Sequence, residues 1–91
     1  MSAKQRRKLE SNRWRRFVEF AELRRETEMA QAFLEELKSG RANLQQEIKG
    51  QTIADWLRWA EQRLTETDPL ARGVNGIFEN IASVSTWDYR D

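Results

Sequence analysis

The sequence predicts an all-α protein built on one long helix, and three observations carry that expectation. Its 91 residues contain a single proline, Pro69; no glycine precedes Gly40; and apolar residues recur at helical spacing through the first half of the chain. A chain of this size forms one small domain and buries only about 60–65% of the surface its unfolded form exposes.

The first helix is expected from about Lys4 to Lys38, a run rich in Arg, Glu, Leu, Ala and Gln. Phe20, Leu23, Thr27, Ala30, Leu34 and Leu37 alternate in steps of three and four, the pattern of a helix seam. The count stays in phase through Arg41, Leu44 and Ile48, so the helix either continues past Gly40 or breaks there and resumes in the same direction. Gly40 costs about 1 kcal/mol relative to Ala inside a helix, which favours the break. Other apolar residues lie off the seam. Trp14, Phe17, Val18 and Ala21 fall about 60–160° from Phe20 on a helical wheel, and Met29 and Phe33 near 180–220°. A helix apolar in several sectors wants several neighbours. Thirty-five helical residues would span about 52 Å, against a diameter of about 30–35 Å for a compact chain of this size. The helix must therefore overhang its own domain, either alone or under a second chain.

Gly50 precedes a second helix start. Thr52 is placed to cap the N–H of Asp55, whose charge suits the first turn. Ile53, Trp56, Leu57, Ala60 and Leu64 then share one face of a helix over 53–66, with Trp59 about 120° away. Asp68-Pro69 signals another start, and Gly73 and Asn75-Gly76 punctuate the chain before the short apolar run Ile77, Phe78, Ile81 and Ala82. Residues 84–91 read as a flexible tail, with Trp87-Asp88-Tyr89 either tucked back on the bundle or serving as a docking tail. The whole is a small bundle or coiled-coil-like assembly.

Residues 52–70, marked by Trp56-Leu57-Arg58-Trp59-Ala60 and then Asp68-Pro69-Leu70, resemble a closing segment of assorted uncharacterised bacterial helical proteins. The resemblance covers about a fifth of the chain. It implies a bacterial source, and no activity or site residue comes with it.

Composition removes whole classes of chemistry. With neither cysteine nor histidine, the chain cannot form a disulfide or assemble the usual zinc or haem site. The glutamate pairs Glu26/Glu28 and Glu35/Glu36 read as a solvated helix face. The glycines fit no phosphate-binding loop, and no histidine is present to activate a hydroxyl nucleophile. No catalysis and no cofactor are expected. There is no signal peptide and no apolar run near the roughly 20 residues of a membrane span, so a cytoplasmic location is expected. A charged fraction of 34% would suit a disordered chain, but the net charge is only +1 and nine aromatic residues are available to anchor a core.

Two surfaces remain. Residues 1–16 hold seven cations (Lys4, Arg6, Arg7, Lys8, Arg13, Arg15 and Arg16) against Glu10, a net of +6, while the other 75 residues net −5. With Trp14 interleaved, this basic extension has the parts to grip phosphates and stack on a base. Arg13 and Arg16 stand at seam positions, which predicts that this end is not buried in a bundle. The second surface is apolar. Met29, Phe33, Leu34 and Leu37 of the first helix, with Trp59 and its neighbour Arg63, are the candidate partner-binding residues. The expected function is a non-catalytic protein-interaction module, self-associating as a dimer or a small subunit of a larger assembly; the rival is nucleic-acid binding through residues 4–16.

Overall fold

The structure, a computed structural model, describes residues 1–90. It is all-α, with one long helix against two shorter ones: α1 (Ala3–Ser39), α2 (Ile53–Thr67) and α3 (Gly73–Ala82). Two-residue strands β1 (Glu47–Ile48) and β2 (Gln51–Thr52) stand between α1 and α2, and a 3-10 turn at Pro69–Arg72 joins α2 to α3.

Helix α1 begins with a capping box. The Ser2 hydroxyl accepts from the Gln5 N–H at 3.1 Å, and the Gln5 side chain accepts from the Ser2 N–H at 3.0 Å. This offsets a poor electrostatic start, since the first turn has no acidic residue and Lys4, Arg6 and Arg7 face the positive end of the helix dipole. The helix runs unbroken for 37 residues and stops where Gly40, at φ −71 and ψ 166, turns extended.

The break at residue 40 is as expected, but the chain does not resume as helix. Residues 41–46 form a loop and the strands form a tight hairpin, Glu47 paired with Thr52 and Ile48 with Gln51. Its turn places Lys49 at φ 55 and Gly50 at φ 80, the positive angles that two-residue hairpin turns require. The in-phase spacing of Arg41, Leu44 and Ile48 was coincidental. Without a neighbouring helix to cover them, two or three apolar residues do not offset a glycine. The loop instead seals the start of α2. Ile53 N–H donates to the Gln46 carbonyl, Ala54 N–H to the Leu44 carbonyl, and Asp55 N–H to the Thr52 hydroxyl at 3.1 Å.

From there the second arm runs antiparallel to α1 from Lys38 back to Asn12. Lys38 pairs with Glu61 at 2.6 Å, Arg24 with Asp68 at 2.6 Å, Arg16 reaches Asn80 at 2.6 Å, and the Asn12 amide donates to the Ser85 carbonyl at 3.0 Å. As numbers fall on one arm they rise on the other. The result is a helical hairpin 62 Å long and 22 × 21 Å across. Its radius of gyration is 18.9 Å, against about 12 Å for a compact chain of this length. The seam of α1 faces the second arm, with Thr27 and Leu34 buried and Phe20 and Leu23 half-buried. Among the described residues only Leu34 and Val84 are buried apolar side chains. The core is a thin line between two arms. No described helix is long and apolar enough to cross a membrane.

Candidate docking surface

The two faces of the α1–α2 hairpin differ in kind. One is a cleft whose lining is mainly polar, from Arg24, Thr27, Glu28, Gln31, Glu61, Thr65 and Asp68, with Ala32 and Leu64 the apolar residues. Here Asp68 accepts from the Leu70 N–H at 2.9 Å and from Arg24 at 2.6 Å. The Leu70 bond, and then Arg24, hold its carboxyl below the usual carboxylate range, with burial acting the other way. Arg24 is raised correspondingly, mainly by its bond to Asp68. This face is satisfied internally.

The opposite face is a groove of about 510 Å³, lined by Ala30, Phe33, Leu34 and Leu37 of α1 and by Trp56, Leu57, Trp59, Ala60, Arg63, Leu64 and Thr67 of the second arm. Its residues arrive by helical spacing. Phe33 and Leu37 lie four apart on α1, and Trp56, Ala60 and Arg63 recur on α2 in steps of four and three. Trp56 is fixed from both ends. Its ring N–H donates to the Ile48 carbonyl at 3.0 Å, and its ring stands at 86° to that of Trp59, 6.0 Å between centroids. Trp59 is thus held in one orientation while 55% of it stays exposed. Phe33 is 60% exposed and Leu37 47%. Arg63, the one charged lining side chain among the described residues, reaches Glu66 at 3.6 Å.

Of the six candidate partner-binding residues, the structure brings five into this groove. Leu34, at 2% exposure, is the floor of the core rather than a docking contact, because it sits on the α1 seam facing the second arm. Met29 lies one turn before Phe33, exposed and outside the groove.

The basic extension is less open than the sequence suggests. Arg13 is exposed and Arg16 half-buried, so this end is not sunk in a bundle, but the last turn of α3 and the residues after it bond to both. Arg16 donates to the Tyr89 hydroxyl at 2.7 Å and to Asn80; Arg15 lies 4.5 Å over the Tyr89 ring; Arg13 donates to the Ala82 carbonyl at 3.4 Å. The Tyr89 bond raises the Arg16 guanidinium pKa above its usual value. Of the two alternatives for the closing residues, Tyr89 takes the tucked one and also donates to Glu19, while Trp87 points outward. Lys4, Arg6 and Arg7 lie exposed, and exposed Trp14 stacks on Phe17 at 5.3 Å. Sequence reasoning missed the Asn12–Ser85 and Arg16–Tyr89 contacts. Each joins residues 73 apart, so no local pattern announces them.

The fold and this face together define an elongated helical hairpin with one satisfied and one uncovered side. Comparison with protein-family models, with curated proteins and with solved structures gives no match.

Proposed function

We propose that this protein is a non-catalytic interaction module that docks a helical partner in the α1–α2 groove, either another copy of itself or a larger assembly in which it is a small subunit. One observation carries the reading: Phe33, Leu37 and Trp59 line a single groove and stay about half exposed on a molecule with almost no buried apolar core. An apolar groove between two helices is the receptor for an amphipathic helix, and an exposed, rigidly held Trp is the kind of anchor that dominates binding energy. The resemblance of residues 52–70 supports a bacterial source for such a module.

The test compares the intact chain with Phe33→Glu and Trp59→Glu, as baits in cell extract and by light scattering alone. The docking reading expects a bound partner or a mass above 10.8 kDa with the intact chain, lost in both variants. Equal behaviour of all three chains would refute it.

A second reading, nucleic-acid binding through residues 4–16, draws on one observation. Exposed Lys4, Arg6 and Arg7 crowd the helix end where the dipole is already positive, a cost to folding, while exposed Trp14 offers a stacking face. That reading expects affinity for duplex DNA to fall with salt at a logarithmic slope of at most about −6 for seven cations. Salt-independent binding, or none, counts against it.

A further inference from the structure

Resting on the docking reading, we infer that the occupant of the α1–α2 groove is the same groove of a second copy, with the two long helices antiparallel, so that four helices close one bundle. Geometry supplies the first argument. The groove is the open side of a two-helix layer, and the molecule is only 22 × 21 Å in cross-section. What completes such a layer is another of the same kind, packed at the usual helix spacing of about 8–10 Å.

Shape supplies the second. A twofold contact sets a patch against itself, so the patch must carry both projections and hollows. Phe33 and Trp59 project, while Ala30 and Ala60 leave room beside them. Large against small is the arrangement that interdigitates across a core. Arg63 has Glu66 within its own chain at 3.6 Å, so closing the groove does not strand it.

Area and charge supply the third. The chain exposes 7599 Å², where a compact monomer of its mass exposes about 5,500 Å². The surplus of about 2,000 Å² is spread along the 62 Å hairpin, and a standard interface of about 800 Å² per partner, centred on the groove, needs less than half of it. Charge then chooses the orientation. Parallel helices would set two clusters of +6 side by side. An antiparallel pair centred on the groove sends them to opposite ends, roughly 80 Å apart and many screening lengths from each other.

The experiment uses the full chain, which has no cysteine, so one introduced cysteine gives one labelling site. Sedimentation equilibrium is run from low to high micromolar concentration on the intact chain, on Phe33→Glu, on Trp59→Glu and on Trp14→Glu. Circular dichroism monitors the helices, and label-to-label distance is measured on Ala3→Cys, an exposed position whose side chain takes no part in the Ser2–Gln5 cap. Expected are a dimer, weakening by at least about 30-fold in either groove variant with helicity retained, no effect of Trp14→Glu, and labels beyond about 60 Å. A dimer indifferent to the groove changes, a dimer lost with Trp14→Glu, or labels within about 30 Å would each overturn it. A monomer at every concentration also overturns it. If that monomer's groove still captures another protein, the docking reading stands without the second copy. If it captures nothing, both fall.

Discussion

Arg16 and Tyr89, 73 residues apart, meet side chain to side chain, the guanidinium donating to the phenol oxygen at 2.7 Å while Arg15 lies across the ring. This contact closes the far end of the hairpin. With Val84 buried nearby in sequence and the Asn12 amide on Ser85, it fixes residues 83–89 to α1. Tyr89→Phe keeps the ring under Arg15 but removes the hydroxyl. The expected cost is about 1 kcal/mol in urea denaturation, with faster amide exchange over residues 83–89 and no change around α2. Uniform loss of protection along the chain would contradict this local role.

Leu34 and Leu37 stand one turn apart on α1 and should respond differently. Leu34 is sealed between the arms, so Leu34→Ala should cost about 3 kcal/mol of folding stability. Leu37 is half exposed, and Leu37→Ala should cost less than about 1 kcal/mol in the isolated chain. Denaturant midpoints of the two variants check the contrast.

Asp68 predicts a pH dependence. Its carboxyl is held low, first by the Leu70 N–H and then by Arg24. A carboxylate whose folded pKa lies below its unfolded value of about 3.9 contributes stability that is whole above that pH and is lost as pH falls through the folded value. Asp68→Ala should therefore destabilise by about 1 kcal/mol near neutrality through the lost cap. The gap to the intact chain should narrow below about pH 4. Urea unfolding from neutral to strongly acid pH measures it; a gap that widens in acid would contradict the sign.

Gly76 reverses the usual propensity rule. In an ordinary helix interior, Gly→Ala stabilises by about 1 kcal/mol. Here a Cβ at 76 would stand 2.5 Å from the Arg72 Cβ, because the 3-10 turn runs straight into α3 at Gly73, φ 70. Gly76→Ala is expected to lower the melting temperature rather than raise it.

The sequence by itself determined α1 and α2 and their ends, but not the start of α3, which begins at Gly73 and runs through Asn75-Gly76 where the glycines predict a break. Backbone propensity, capping chemistry and glycine placement act over a few residues. They settle the stop at Gly40, the Thr52 cap on Asp55 and the restart at Asp68-Pro69. It also put Phe33, Leu37 and Trp59 among the binding candidates, because helical spacing shows which apolar residues fall beside a packed stripe. The two-residue hairpin escaped notice because Lys49 is an unusual residue at positive φ, and only Gly50 hinted at the turn. Tertiary structure alone decided that α2 and α3 lie in tandem along α1. It also decided that Leu34 belongs to the core, and that the polar and apolar faces of the hairpin separate. Arg13 and Arg16 show the reason. Their spacing marked them as seam residues with the wrong chemistry for burial, and what accepts their hydrogen bonds is a carbonyl, an asparagine and a tyrosine from the other end of the chain. A pairing across about 70 residues is set by the closing of the whole hairpin, and no window of sequence contains both partners.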